Sequence, residues 1–244
     1  MSAITLLHTN DLHNHFSEHQ ASYLHERRTA LGDHGLLLDS GDAISAGNAG
    51  FRPGGEPVLD LMSHAGYDAM TVGHREFHFS AAGFKSKLSE ADFPVLCANV
   101  RSRSHDLKLP VVPFITRQVG EYRVTILGLT VPMITERMLV RKISAWVFDD
   151  PITTAKKLIP ELASQCDLLV CLTHVGLSQD RLLSKAVNGI NLIIGGHTHA
   201  VLEQGEKVEN TLIVQAGWWG KLLGVVEAEK TPDGWNFTAH HESL

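Results

Sequence analysis

The chain has few cysteines, no long apolar run and no excess of basic charge, and each shortage excludes something. Its three cysteines, Cys97, Cys166 and Cys171, form no CxxC pair, and an odd number leaves at least one unpaired. Each sits in or beside an apolar run, so buried free thiols in a reducing compartment are expected. No stretch approaches the ~20 apolar residues of a membrane span. The opening residues, MSAITLLHTND, lack a basic start and a long apolar core. The expectation is a cytoplasmic protein with no membrane partner. Lysine and arginine number 21 against 27 acidic residues, a formal net charge of −6. That balance argues against an extended nucleic-acid surface, which needs a basic face to displace counterions. It leaves room for a phosphorylated substrate, because bound cations reverse the local field.

What remains is an ordinary globular mixture, 43% hydrophobic and 20% charged over 244 residues. No repeat, low-complexity tract or linker divides it, so a single domain over residues 1–244 is expected. Fifteen histidines are many for this length and point to metal or proton chemistry.

Short apolar runs recur, each ending in a polar or glycine-rich turn. The spacing predicts strands at 4–7, 36–38, 69–72, 95–98, 125–129, 168–172, 192–194 and 212–215. Helical patterns fall between them, at 20–31, 58–65, 81–91, 153–164 and 180–187. Such alternation predicts an α/β fold with helices packed on sheet faces. Near the end, 224–229 and 235–240 read as a hairpin around Asp233-Gly234. Residues 45–57, rich in Gly and Ala, follow a strand and are expected to border a site.

The informative polar residues cluster after the strands, where open α/β sheets place their sites. They are His8-Thr-Asn-Asp11-Leu-His13, Asp39-Ser-Gly-Asp42, Gly73-His74-Arg75-Glu76, Thr173-His174 and Gly195-Gly-His197-Thr-His199. Asp11 and His13 are two apart, as are His197 and His199. On extended backbone that spacing points both side chains one way, so each pair can grip one centre. Any one of these segments is weak alone, but five at successive strand ends are hard to produce by chance.

Taken together, HTNDLHNH, DSGDAISAG, GYDAMTVGHREF, FPVLCANV, THVG, GGHTH and AGWWGKLLG resemble the calcineurin-like metallophosphoesterases, in their 5'-nucleotidase and UDP-sugar hydrolase branch. The resemblance covers almost the whole chain. It implies a four-layer α/β/β/α sandwich, two mixed sheets face to face with helices outside. By matching positions it implies two divalent metal ions, one held by Asp11, His13 and His199 and the other by His74, His174 and His197. Asp42 would bridge them, since a carboxylate has two oxygens to offer two cations. Imidazole and carboxylate ligands together suit Mn, Fe, Zn or Co. The implied reaction is hydrolysis of a small phosphorylated substrate, ester or anhydride, by metal-activated hydroxide in line with the leaving group.

One segment departs from the family pattern. Gly-Asn-His-Glu, followed closely by an aspartate, is usual there, whereas this chain reads Gly73-His74-Arg75-Glu76-Phe77-His78. His74 replaces an amide ligand by a nitrogen ligand. Arg75 stands where the catalytic histidine is expected and cannot donate a proton at working pH. It can still stabilise developing negative charge. His78 replaces the aspartate and titrates near neutrality when unperturbed, so it is the candidate acid. Arg75 and His78 are thus the expected catalytic residues, and Arg75 and Asn99 the expected substrate contacts. A second reading stays open: a metal- and phosphate-binding regulatory protein that has lost its acid.

Several residues carry blander expectations. His8, His19, His25, His34, His64, His105, His240 and His241 read as surface or core histidines. Asn10 and Asp39 read as loop-ordering groups, Arg101 as a solvated charge, and His15 as a substrate contact or a loop cap. Trp218 and Trp219 either border the substrate or pack beside the last sheet strand.

Overall fold

The computed structural model describes residues 3–104 and 106–244; His105 lies outside the described residues. The first half of the chain runs β1 (Ile4–Thr9), α1 (Glu18–Leu31), β2 (Gly35–Asp39), α2 (Pro57–Ala65), β3 (Ala69–Thr71), α3 (Ala81–Lys87), β4 (Val95–Leu96) and β5 (Val100–Ser102). It continues through β6 (Phe114–Val119), β7 (Tyr122–Thr130), β8 (Trp146–Phe148), α4 (Pro151–Ser164), β9 (Leu168–His174), α5 (Leu177–Ala186) and β10 (Leu192–Gly195). The last strands are β11 (Glu206–Val208), β12 (Thr211–Val214), β13 (Leu222–Thr231) and β14 (Gly234–Ser243).

Two six-stranded sheets result, ordered β14-β13-β1-β2-β3-β4 and β11-β12-β10-β9-β7-β6. Strands β1 to β4 run parallel, and the antiparallel β13–β14 hairpin closes one edge. In the second sheet β7, β9, β10 and β12 are parallel, with β6 and β11 antiparallel at its edges. Both sheets are mixed, as expected.

Side-chain alternation along the strands makes the layers. Ile4, Leu6, Leu36 and Leu38 from the first sheet meet Ile126, Val170, Leu172 and Ile194 from the second in one buried cluster. Their neighbours Leu7 and Leu37 point the other way, onto Leu24 of α1 and Leu59 and Met62 of α2. Leu169, Cys171 and Ile193 likewise pack under Ala155 and Ile159 of α4 and Leu183 of α5. Burial on both faces explains why the central strands read as continuous apolar runs. The order helix, sheet, sheet, helix is the expected four-layer sandwich. Among the described residues, no helix is long and apolar enough to cross a membrane.

Local chemistry sets the element ends. Ser17 and Gln20 form a reciprocal capping box at the start of α1. Pro57 and Asp150-Pro151 open α2 and α4, and Gly66 closes α2 in the left-handed region. Four strands were not anticipated: β5, β6, β8 and β11. Three of these have three residues, and β6 is an edge strand with an exposed Thr-Arg-Gln run. Strand β4 stops at Leu96, short of Ala98, because Cys97 and Ala98 donate instead to Val112 and Gly128. Helix α3 stops at Lys87, short of Ala91, where turn bonds from Ser89 to Ser86 and from Ala91 to Leu88 take over. The last hairpin pairs Thr231 with Gly234, so its turn is Pro232-Asp233 and Gly234 already belongs to β14.

His8 illustrates the packing of the inner layer. It lies opposite Gly224, where an added Cβ would come within 2.0 Å of the His8 ring, and it is 1% exposed. Burial, then the nearby His241, lowers its pKa to about 3. A folded pKa below the unfolded value of 6.5 means stability is full above 6.5 and falls as pH drops toward 3. The slope from this group is about 1.4 kcal/mol per pH unit. Replacing His8 by leucine should therefore flatten the acid side of the stability curve by about one proton. Urea unfolding of chelator-treated protein between pH 5 and 7 reads this directly, and parallel curves for the two proteins would refute it.

Candidate metal centre

All five polar segments arrive at one edge, the C-terminal ends of β1, β2, β3, β9 and β10. They do not arrive on extended backbone. Asp11, His13, Asp42, His197 and His199 all have positive φ, between 49° and 77°, as does Asn14. Non-glycine residues rarely adopt this region, and a cluster of them marks a site whose surroundings hold the strain. The pairs two apart do converge, but by tight turns and not by strand alternation. His13 Nε2 lies 3.4 Å from His199 Nε2 and 3.8 Å from Asp11 Oδ1, and His199 Nε2 lies 3.4 Å from Asp11 Oδ1.

Among the described residues, three sets of side chains gather closely enough to hold a cation: Asp11, His13 and His199; His74, His174 and His197; and Asp11, Asp42 and His174. The third set joins the other two. All seven side chains expected from the sequence are therefore brought together. The rings of His74, His174 and His197 lie 4.7–5.6 Å apart, centre to centre.

The polar atoms fit a cation. His174 Nδ1 donates to the Ser40 carbonyl at 2.8 Å, leaving Nε2 facing Asp42 Oδ2 at 3.4 Å. Asp11 Oδ2 accepts from Asn10 Nδ2 and His197 N–H, while its Oδ1 is buried without a hydrogen-bond partner. His174 Nε2 is likewise buried and without one. Such atoms are costly unless something positive meets them.

Electrostatics agrees. Burial alone would raise the Asp42 carboxyl and lower His174. Each overrides this for the other: His174 holds Asp42 well below the usual carboxylate range, and Asp42 pushes His174 up to about 9. Burial and then the neighbouring His174 lower His74 to about 4 and also lower His197. Burial lowers His13 against the pull of Asp42 and Asp11. His13, His74 and His197 are thus held as neutral imidazoles, the ligating form, beside an ionised Asp42, while His174 would give up its proton to a cation.

Further residues, most of them unremarked in the sequence, hold this geometry. The Glu76 carboxylate accepts from Gly73, Asp42 and Ile44 N–H groups at 2.7–3.2 Å, tying the loop after β2 to the loop after β3. Burial, then the Asp42 charge, raises its pKa to about 7. Lys87 is fully buried, and its ammonium donates to the carbonyls of Gly47, Arg75 and Phe77. It clamps the 45–57 segment against the Arg75 turn. Its signal was its place with Gly83 and Phe84 on the buried face of α3. Asp180 on α5 accepts from Thr173 and Gln215, and Gln215 in turn accepts from Thr198 and Ala200, which fixes the His197–His199 loop. Asn10 bonds to Gly217 and Ala216, and Asp39 to Thr9 and Gly41, the loop-ordering roles expected of them.

The two loops touch so closely that no side chain fits between them. A Cβ on Gly73 would lie 2.3 Å from the Asp42 amide nitrogen and Oδ1. Gly73→Ala should push Asp42 aside and destabilise the protein by about 1–3 kcal/mol. Thermal unfolding with and without metal measures both effects; unchanged stability and unchanged metal affinity would show the contact to be looser than it is here.

A cleft of about 480 Å³ opens over the cluster, lined by His13, Asp42, Gly47, Asn48, His74, Arg75, His197 and His199. The 45–57 segment borders it, as anticipated. Arg75 reaches it, and its backbone N–H donates to Asp42 Oδ1 at 2.8 Å. The structure does not bring His78 there, against expectation. That ring is 3% exposed, bonded through Nδ1 to Ser80 and packed on Phe79, Phe51 and Gly83. Asn99 also lies elsewhere. Its amide donates to Thr130 and Asp149 carbonyls and accepts from Thr130 N–H, so the group is spent on joining β5 to the end of β7. Arg101 pairs with Glu136 and Asp149. His15 stacks on Trp219, and Trp218 on His199.

Fold and cluster together define a class: a four-layer sandwich with histidines and carboxylates able to hold metal at its strand ends. No protein-family model matches the chain. Over 264 aligned positions it is 31% identical to the trifunctional nucleotide phosphoesterase YfkN of Bacillus subtilis, covering 92% of this chain and 18% of that one. It is 27% identical to the bovine 5'-nucleotidase over 280 positions, 97% of this chain and 48% of the relative. The crystal structure of a 5'-nucleotidase precursor from Thermus thermophilus matches with a TM-score of 0.80 at 26% identity, over 100% of this chain and 55% of that one. The chain spans about half the length of the last two relatives and less of the first. It belongs to the calcineurin-like metallophosphoesterases, in their 5'-nucleotidase family.

Proposed function

We propose that the chain hydrolyses phosphate esters or anhydrides of small molecules, using two divalent cations. Asp11, His13 and His199 would hold one and His74, His174 and His197 the other, with Asp42 available to both. The observation that carries this reading is the pair of buried atoms without a hydrogen bond, Asp11 Oδ1 and His174 Nε2, at the join between the two groups, each facing other candidate ligand atoms at 3.4 Å. Bound cations supply Lewis acidity there, activating water and offsetting phosphoryl charge. The donor set suits Mn, Fe, Zn or Co. Relatives named as 5'-nucleotidases and as a nucleotide phosphoesterase support a phosphorylated small substrate.

The protein's own part is to bind and orient. Arg75 brings a permanent positive charge to the cleft, placed by the hydrogen bond its backbone N–H donates to Asp42 Oδ1 and by the Lys87 ammonium donating to its carbonyl. It stabilises phosphoryl or leaving-group charge without transferring a proton. With His78 buried elsewhere, the leaving group departs without a dedicated acid, which favours aryl esters, diesters and anhydrides. The same burial supports the second reading, a regulatory protein that binds metal and phosphate.

Stripped protein reloaded with Mn, Co, Ni or Zn and assayed on a chromogenic aryl phosphate and a bis-aryl phosphate decides between them. About two metals per chain with turnover in at least one is expected. Two metals without turnover in any would leave the binding protein, and failure to load metal would end both readings.

A further inference from the structure

One residue beside the cleft shares the backbone signature of the metal-facing residues without their chemistry. Trp219 has φ 63°, and its N–H donates to the Asp11 carbonyl at 2.9 Å. Aspartate, asparagine and histidine tolerate the left-handed region comparatively well; a bulky indole is a genuine outlier there. Glycines at 217 and 220, both with positive φ, flank it. Yet the strained indole is not stored in the core, for it is 44% exposed.

Its neighbours form a continuous aromatic wall that runs into the metal cluster. His15 lies against Trp219 at 4.8 Å, Trp218 meets Trp219 edge-on at 6.2 Å, and Trp218 stacks on His199 at 5.7 Å and 19°. His199 also lines the cleft. The exposed Lys221 covers both indoles, its ammonium 4.9 and 5.3 Å from their centres. A long, flexible, solvated side chain is the neighbour most easily displaced by an entering ring.

We propose that Trp219, with Trp218 and His15, forms a stacking subsite for a planar aromatic group carried by the phosphorylated substrate. This deepens the proposed phosphohydrolase reading and rests on it for the phosphate end alone. The wall stands on the Asp11, His13 and His199 side of the cleft, and Arg75 stands with His74. The wall joins the cleft through His199, and Arg75 lines the same cleft, so a substrate long enough to pass His199 would meet π-faces at one end and a guanidinium at the other. Stacking is tolerant of ring identity, since every aromatic base or aryl group presents a π-face.

The test compares adenosine 5'-monophosphate with ribose 5-phosphate, which share the phosphate, the sugar and the primary alkoxide leaving group and differ in carrying adenine or a hydroxyl at C1. In the wild type kcat/KM should favour the nucleotide by roughly 10-fold or more, through KM. Trp219→Ala should collapse that ratio toward one, and Trp219→Phe should retain most of it. Binding is read separately, without turnover, from quenching of tryptophan fluorescence. Adenosine monophosphate should quench it, ribose 5-phosphate should not, and the quench should shrink in Trp219→Phe. Equal kcat/KM for the two wild-type substrates, with no selective quench, would overturn the subsite while leaving the phosphohydrolase standing. Selective quenching without turnover of either would support the subsite and confine hydrolysis to better leaving groups, which the aryl phosphate assay reads. No selective quenching and no turnover would overturn the subsite.

Discussion

Asp42→Asn is expected to reduce bound metal from about two per chain toward one or fewer and to lower kcat by roughly 10³-fold, the equivalent of several kcal/mol of charge stabilisation. The substitution preserves shape, and the amide oxygen can still accept from Arg75 N–H, so the loop after β2 should keep its path. What disappears is the negative charge that faces His174 Nε2 at 3.4 Å and lies within the set that also contains Asp11. A neutral amide cannot offset repulsion between two cations, and it offers each a weaker donor. Elemental analysis with steady-state kinetics on the same preparation checks both halves of the claim. Two metals per chain with kcat within tenfold of wild type would show that Asp42 is a structural carboxylate only.

Turnover should depend steeply on the leaving group, and Arg75 should be the reason. Aryl phosphates are expected to react about 10²–10⁴-fold faster than alkyl phosphates, the usual worth of general acid catalysis, because His78 is turned away from the cleft and Arg75 holds its proton. Arg75→Ala should slow every substrate by roughly 10²-fold, since it removes a fixed charge from the developing anion. Arg75→His should act differently. It places a titratable donor beside the cleft, so alkyl phosphates should gain relative to aryl ones and their rates should fall as pH rises above ~6.5. A series of substituted phenyl and alkyl phosphates, run with one metal, gives the slope for each variant. A shallow slope in the wild type would mean that another group delivers the proton.

The sequence told more about which residues gather than about how. Asp11 with His13 and His197 with His199 were paired by a period-two argument suited to strands, whereas the chain turns through positive φ at all four. The pairing survived because glycines and short polar residues at the strand ends permit such turns. Asn99 and His78 went the other way. Both sit in motif-like text, but Asn99 saturates its amide on Thr130 and Asp149, and His78 is enclosed by Phe51, Phe79 and Gly83. A motif marks a loop; only three-dimensional packing says which of its side chains faces the cleft. The short strands β5, β8 and β11 were invisible because three residues carry no period. Lys87 was overlooked because a lysine on a helix is ordinarily solvated.

By itself the sequence determined the alternation of strand and helix, the double burial of the central strands and the set of seven histidines and carboxylates. The first two follow from residue type and near-neighbour spacing, which are local properties, and the third from the resemblance of the motifs to a family. Tertiary structure alone decided that Asp11 and His174 each bury one atom without a hydrogen bond, and that Lys87 and Glu76 join the loops. It alone set Trp219 beside the cluster in a strained conformation. Those facts depend on distances between segments tens to hundreds of residues apart, and no local pattern in the chain encodes them.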